Sequence, residues 1–461
     1  MRLGLTRIRA LLGALGHPER SLRGALVAGT NGKGSVIALC SAALRAAGYR
    51  VGETPKPHLV SYRERIVVDG RPIEPDAFVR LVAEVVPLAE RVARRSGPPT
   101  EFELLTAMIF RYLAEAEVDV ALVEVGIGGR LDATHAWDGG VAVVTNVDLD
   151  HTDRLGPTVE AIAREKAAII ERGDVAVTGA SGAALAVIRR RAARVGVPLT
   201  IVGPPPILGW DRDGLEVALG RVGPTRVGLR GRHQAANAAV ADAVLDALEL
   251  AGIARVDGAA RRAGYAAARW PGRLELLVVE GRRGPIDVLL DGAHNPAGAA
   301  ALARALDDLR PYLRGAADDR SALGRAGDRG AEAPIVLLTA TMADKDVDGL
   351  IAALAGAASL RGARIVATTT GSERAAPPAE LAARWADRLP DADARAIADP
   401  AAALEAALAA ADELGGPLLV AGSLYLVGLV RGWLVGIPGE ESPGAGDPPR
   451  AGDPPRAGGR G

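Results

Sequence analysis

From Ala25 onward, short runs of aliphatic and β-branched residues alternate with Ala/Leu-rich runs of helical period. Continuous apolar strands separated by helix-length segments fold into a parallel sheet with helices on both faces. The spacing predicts strands at Ala25–Ala28, Val118–Val125, Val141–Thr145 and Val175–Thr178. After Pro271 the alternation restarts, with strands expected at Leu274–Val279, Ile286–Leu290, Ile335–Thr339, Arg364–Ala367 and Leu418–Ala421. Upstream, Leu5, Ile8, Leu11, Leu12 and Leu15 keep helical spacing, and Arg7 and Arg9 interrupt the run that a secretion signal would need. The Pro271–Gly272 pair punctuates the pattern and sets a domain boundary near Trp270–Arg273. The expectation is an α/β chain with one domain over 1–272 and a second over 273–437. Arg314–Pro334 has no period and reads as a solvated loop. From Pro438 a Pro/Gly-rich tail carries AGDPPR twice and is expected to be disordered.

The length of 461 residues allows more than one real core. Apolar residues at 49% and charged residues at 24% exclude a wholly disordered chain. Lys plus Arg (55) nearly cancel Asp plus Glu (56), so no overall field steers the chain to nucleic acid or to an anionic membrane. No apolar stretch reaches the roughly 18 to 20 residues that span a bilayer. Small molecules are the expected partners. Cys40 is the one cysteine, which excludes an intrachain disulfide and a paired-cysteine zinc site and fits a cytoplasmic protein.

The chemistry concentrates after the predicted strands. Ala25–Ala28 runs into Gly29-Thr30-Asn31-Gly32-Lys33-Gly34-Ser35 and then an amphipathic helix. Glycines let backbone N–H groups wrap a polyphosphate, the helix N-terminus adds its positive dipole end, and Lys33 adds a point charge. A solvated turn is the bland alternative, outweighed by the order strand, loop, helix. The spacing departs from GxxxxGK[ST], since Gly34 follows the lysine and Ser35 comes one place later. Glu124 closes the strand at Val118–Val125, and His151 follows the strand at Val141–Thr145. Both then face the crevice where ligands bind in open α/β sheets. Lys166 lies in a helix predicted over Thr158–Ile170. Singly, each of these three is more often structural. Beside a phosphate loop, where ATP chemistry needs a divalent cation, they form a candidate set.

GTNGKGS after a strand resembles the nucleotide loop of the Mur ligase superfamily, in the form with Asn31 carried by folylpolyglutamate and dihydrofolate synthases. EVGIGGRLDATH, LDHTDRLGPTVEAIAREKAAII, GRHQAANAAVA, WPGRLE and DGAHNP follow in that family's order, so the resemblance runs from about Leu5 to Leu434. It implies a P-loop Mur-ligase-like central domain with a mostly parallel sheet, plus a smaller Rossmann-like α/β C-terminal domain. It implies that Gly29, Thr30, Asn31, Gly32, Lys33, Gly34 and Ser35 hold ATP together with Asn237, Arg273 and Asp291. Glu124 and His151 would hold Mg2+, with Mn2+ as an alternative. Lys166 would be carbamylated by carbon dioxide, which turns a cation into an anionic oxygen ligand. His294 would lie near the incoming amino acid, and Thr100, Phe102, Leu131, Asp132 and Ala133 would contact the pterin substrate.

The activity so implied is ATP-dependent joining of L-glutamate to dihydropteroate or a folate through an acyl phosphate, by a monomer whose interdomain cleft closes against water. Lys33, Lys166 and His294 would carry the catalysis. Which acceptor is used stays open. In Gly52–Leu59, Lys56 occupies the place of the family's magnesium-binding serine, which weakens the first metal site. Either its ammonium replaces the ion or Thr54 takes over the role. His135 stands where relatives usually carry Asn. The rivals are a P-loop kinase or hydrolase, a non-catalytic nucleotide-binding module, and a wall-peptide ligase. The first lacks its Lys-Ser/Thr pair here, and the last lacks a uridine-binding domain before the loop.

Overall fold

Every residue of Gly24–Ala28 (β1) is buried or nearly so, as a strand covered on both faces must be. Its side chains alternate between two cores. Ala25 and Val27 pack with residues of the helices Lys33–Ala46 and His233–Leu250. Leu26 and Ala28 pack with residues of the helices Thr6–Ala14 and Glu101–Glu115. Full burial of Val36, Ile37, Leu39 and Leu44 on the helix Lys33–Ala46 stabilises its seat by about 1.5–3 kcal/mol per side chain.

The computed structural model describes residues 4–314 and 333–436, in two compact units divided between Trp270 and Pro271. The loop expected over Arg314–Pro334, apart from its ends, and the tail from Pro438 lie outside the described residues. In the first unit, Val51–Thr54 (β2), Val67–Val68 (β3), Arg71–Pro72 (β4), Val120–Glu124 (β5), Gly140–Val144 (β6), Val175–Thr178 (β7) and Leu199–Ile201 (β8) join β1 in the order β4-β3-β2-β5-β1-β6-β7-β8. All pairs are parallel except those made by β3. Ile207–Asp211 (β9), Gly214–Leu219 (β10) and Gly223–Val227 (β11) form a separate antiparallel sheet. In the second unit, Glu275–Glu280 (β12), Pro285–Asp291 (β13), Val336–Thr339 (β14), Arg364–Ala367 (β15), Asp393–Ala396 (β16) and Leu418–Ala421 (β17) run β12-β13-β17-β14-β15-β16, with only β12 antiparallel. Among the described residues no helix is long and apolar enough to cross a membrane.

β7, β15 and β17 begin and end where the spacing predicts. β5 starts two residues later than expected, because the Asp119 carboxylate turns back to accept the Arg50 N–H at 2.7 Å. The helix expected over Thr158–Ile170 is shorter, Val159–Ala167, with Thr158 as its N-cap accepting the Ala161 N–H. The sequence pattern misses β2, whose Val-Gly-Glu-Thr carries a polar residue inward: the Glu53 carboxylate is buried and takes the Ser41 hydroxyl at 2.6 Å. It also misses the antiparallel sheet, where Leu215, Val217 and Leu219 face the core while Leu208 and Trp210 stay exposed.

Candidate active site

Leaving β1 at Ala28, the chain turns through Gly29–Gly32 into a helix that starts at Lys33. First-turn N–H groups have no helical acceptor, and this turn holds no acidic residue, so its positive end is open to an anion. The strand end next door fixes the loop. Thr30 N–H donates to the Asn146 carbonyl (3.0 Å), Asn31 N–H to Asn146 Oδ1 (2.8 Å), and the Thr145 hydroxyl to the Asn31 carbonyl (2.7 Å). Asp148 N–H donates to the Thr30 hydroxyl at 3.0 Å. Sequence reasoning missed these clamps, although the polar run Thr145–Asp148 directly after a strand carries their signal.

Two glycines show what closes on the loop. Gly32 has φ of 81°, and a Cβ there would stand 2.2 Å from Asn237 Oδ1. A Cβ on Gly34 would meet the Trp270 ring at 2.3 Å. The structure thus brings Asn237 to the phosphate loop, its amide donating to Gln234 Oε1 at 2.8 Å. Gly32→Ala is expected to cost about 1–2 kcal/mol through left-handed strain and more through the collision. Its thermal midpoint should fall, and adding Asn237→Ala should recover part of the loss by removing the collision alone. Unfolding of both variants by circular dichroism checks this; equal midpoints for the single and double variants would refute it.

Lys33 folds back over its own loop. Its ammonium donates to the carbonyls of Gly29 (3.1 Å) and Thr30 (3.3 Å) and lies 3.8 Å from Glu124 Oε1. Buried Lys166 donates to the same Gly29 carbonyl at 2.8 Å. Lys56, just past β2, gives its ammonium to the Glu124 carbonyl (2.6 Å) and its backbone N–H to Glu124 Oε2 (2.9 Å). The fully buried Thr54 hydroxyl accepts the Glu124 N–H at 3.0 Å, so Thr54 is occupied in pinning the strand end. Burial brings Lys166 down to about 7, with Lys33 adding to the shift and Asp150 and Asp132 opposing it. Burial brings Lys56 to about 8 against the pull of Asp132 and Glu124. Lys33 and Lys56 at Glu124, with Lys166 on the Gly29 carbonyl that Lys33 also binds, gather three ammonium groups into a site that polyphosphate would complement.

Magnesium takes hard oxygen donors and keeps coordination places for water and phosphate. Among the described residues no three His, Cys, Asp or Glu side chains gather to hold an ion by themselves. The donor set therefore fits an ion shared between Glu124 and a nucleotide rather than one caged by protein. His151 stands at the N-cap position of the one-turn helix Thr152–Leu155 with φ of 49° and makes no side-chain cap bond, its Nε2 3.9 Å from Asp150 Oδ2.

On the expected pterin side, Phe102 lies 4.6 Å beneath the Lys56 ammonium. Thr100 is spent as an N-cap, accepting the Glu103 N–H at 3.2 Å in a capping box. Asp132 holds its own loop: Oδ2 accepts the N–H groups of Gly126 and Ile127, and Oδ1 accepts the N–H and the hydroxyl of Thr134. Leu131 is partly buried and Ala133 buried beside it. The hydrogen bonds of Thr100 and Asp132 thus build the loops that carry Phe102 and Ala133. His135 sets Nδ1 against the Arg130 carbonyl at 3.2 Å.

In the second unit Asp291 ends β13. Its carboxylate accepts the N–H groups of Leu274 and Ala293 (both 2.9 Å), and burial raises its pKa against the pull of Arg273. A Cβ on Gly292 would stand 2.3 Å from Arg273 Nη1. His294 Nδ1 lies 2.8 Å from the Gly292 carbonyl, and Asn295 caps the helix Pro296–Leu309. Arg273, Asp291 and His294 thus sit together around one strand end.

Residues 27–245 match the Mur ligase middle domain, and residues 272–424 match the Mur ligase glutamate ligase domain. A dihydrofolate synthase/folylpolyglutamate synthase of Mycobacterium tuberculosis is 36% identical over 448 residues, spanning 91% of this chain and 85% of the relative. The folylpolyglutamate synthase of Lacticaseibacillus casei is 34% identical over 440 residues, with 93% and 94% covered. Among solved structures, the M. tuberculosis folylpolyglutamate synthase complexed with ADP and AMPPCP gives a TM-score of 0.79 at 34% identity, covering 95% of this chain and 96% of that one. E. coli FolC in complex with DHPP and ADP gives 0.74 at 31% identity, covering 93% and 92%.

Proposed function

The chain belongs to the folylpolyglutamate/dihydrofolate synthase family of Mur ligases and is an ATP-dependent ligase of folate metabolism, and from that premise we propose how its residues divide the work. The substrate carboxylate attacks the γ-phosphorus of ATP, giving an acyl phosphate and ADP. The amino group of L-glutamate then attacks the acyl carbon, forming the amide as phosphate leaves. Dihydropteroate and reduced folate both serve as acceptors, a breadth supported by the double name of the M. tuberculosis relative.

Residues 1–272 act as the ATP-binding domain, and residues 273–437 as the glutamate-ligase domain. Gly29–Ser35 bind the phosphates through backbone N–H groups and Lys33, whose ammonium offsets charge developing on the transferred group. Asn237 fixes the nucleoside side of the loop. Lys166, kept from water beside Lys33, is poised to react as a neutral amine with carbon dioxide, giving a carbamate and releasing a proton. Glu124, His151 and that carbamate would hold magnesium, which when bound neutralises phosphate charge. Phe102 stacks on the pterin. Arg273 stabilises transferring charge, Asp291 holds ATP, and His294 orients glutamate. The enzyme works as a cytoplasmic monomer.

The reading rests above all on the helix N-terminus at Lys33, with Lys56 at Glu124 and Lys166 on the Gly29 carbonyl of the same loop. Purified protein with ATP and labelled glutamate is expected to yield amide product, read by mass, with dihydropteroate and with tetrahydrofolate in parallel. ATP consumption without glutamate-dependent product would favour a kinase or hydrolase. No product with either acceptor would overturn the ligase reading.

A further inference from the structure

Glu124 is enclosed by cations before any ion arrives. Lys56 grips it at two places, with its ammonium 2.6 Å from the Glu124 carbonyl and its N–H 2.9 Å from Oε2. Lys33 faces the other carboxylate oxygen at 3.8 Å. We propose that the Lys56 ammonium is a fixed cation of the phosphate site, standing against Glu124 in place of a divalent ion, so that this chain works with one divalent ion fewer than its Lys56→Ser variant.

Several features hold that charge in place. The Phe102 ring lies 4.6 Å from Nζ and supports the ammonium on its face. Thr54 pins the Glu124 backbone that Lys56 binds. Asp132, the other nearby acid, has its oxygens committed to Gly126, Ile127 and Thr134. Glu124 is thus the residue on which both lysines converge, Lys33 through its carboxylate and the Lys56 ammonium through its carbonyl. A second divalent ion at this place, additional to the one proposed for Glu124, His151 and Lys166, would lie beside the Lys33 and Lys56 ammonium groups in a partly desolvated setting where like charges repel strongly. An ammonium is a compact point charge that can lie against phosphate oxygens much as a metal does. Without the ammonium, a serine hydroxyl and the Glu124 carboxylate would supply hard donors for an ion, with phosphate and water completing its shell.

This inference rests on the ATP-dependent ligase reading, and the test separates the two. Bound Mn2+ is counted per chain by electron paramagnetic resonance in the presence of saturating AMPPCP, with nucleotide binding followed separately by calorimetry. Wild type and Lys56→Arg are each expected to bind one Mn2+, and Lys56→Ser two. AMPPCP binding with two ions in wild type, or with equal counts in wild type and Lys56→Ser, would overturn the inference alone. The wild-type count decides even if the serine variant folds poorly. Failure to bind AMPPCP at all would overturn the ligase reading and the inference with it.

Discussion

Lys33→Met is expected to lower kcat for amide formation by about 10²–10³-fold or more, the scale on which removing one preorganised donor to developing charge acts. Lys33 is the cation that touches both halves of the site: it bridges the Gly29 and Thr30 carbonyls and stands 3.8 Å from Glu124. Without it the loop keeps its backbone N–H groups but loses the point charge placed to meet the transferred phosphate. The loss in kcat should therefore exceed the loss in nucleotide affinity, since ground-state phosphates still have the helix N-terminus. Lys33→Arg should not restore the rate, because a planar guanidinium cannot direct its donors to two carbonyls of one tight loop as an ammonium does. Product formation by mass gives kcat, and calorimetry with AMPPCP gives affinity. A Met variant within about tenfold of wild type in kcat would mean that backbone donors alone suffice, contrary to P-loop chemistry in which the lysine reaches the phosphates.

Much of this site is legible in the sequence because it hangs on strand ends. The apolar runs at β1, β5 and β6 fix which residues come next, and with parallel strands those residues, Gly29–Lys33, Glu124 and Asn146–Asp148, lie at one edge of the sheet. The same logic places Asp291 at the end of β13 in the second unit. Side-chain partners are less legible. Nothing in GRHQAAN says that Asn237 presses on Gly32, since that contact joins residues far apart in the chain through helix packing. Thr100 and Asp132 read as candidate ligands, and their hydrogen bonds to neighbouring backbone and side chains, a use open to any cap residue, do not follow from the motif. Lys56 reads as a departure at a metal position, and only its contacts with Glu124 and Phe102 show where its charge goes. β9–β11 escape the pattern because apolar Leu208 and Trp210 take exposed positions, which hides the inward–outward alternation over strands of five or six residues.

Lys166→Ala is expected to lose nearly all activity, and small carboxylates such as formate or acetate are expected to restore part of it by supplying the oxygen donors that a carbamate would. Activity of the wild type should also fall in carbon dioxide-free buffer and return with bicarbonate. Stability should move the opposite way. Burial and Lys33 lower this ammonium from 10.5 to about 7, so between those values the unfolded chain binds a proton that the folded chain does not. Folding stability contributed by this group therefore rises with pH across that window. At and below about pH 7 the buried ammonium destabilises the fold most, and each tenfold loss of proton affinity on folding costs at most about 1.4 kcal/mol. Lys166→Met, apolar and of similar length, should raise the thermal midpoint by several degrees near neutrality, at roughly 2–4 °C per kcal/mol for a domain of this size. The gain should shrink as pH approaches 10.5. Melting wild type and Lys166→Met across this range, in carbon dioxide-free buffer, separates the two roles. Full activity of Lys166→Ala without added acids would remove the carbamate. A midpoint difference that does not shrink as pH rises would mean that the buried charge is not what the fold resists.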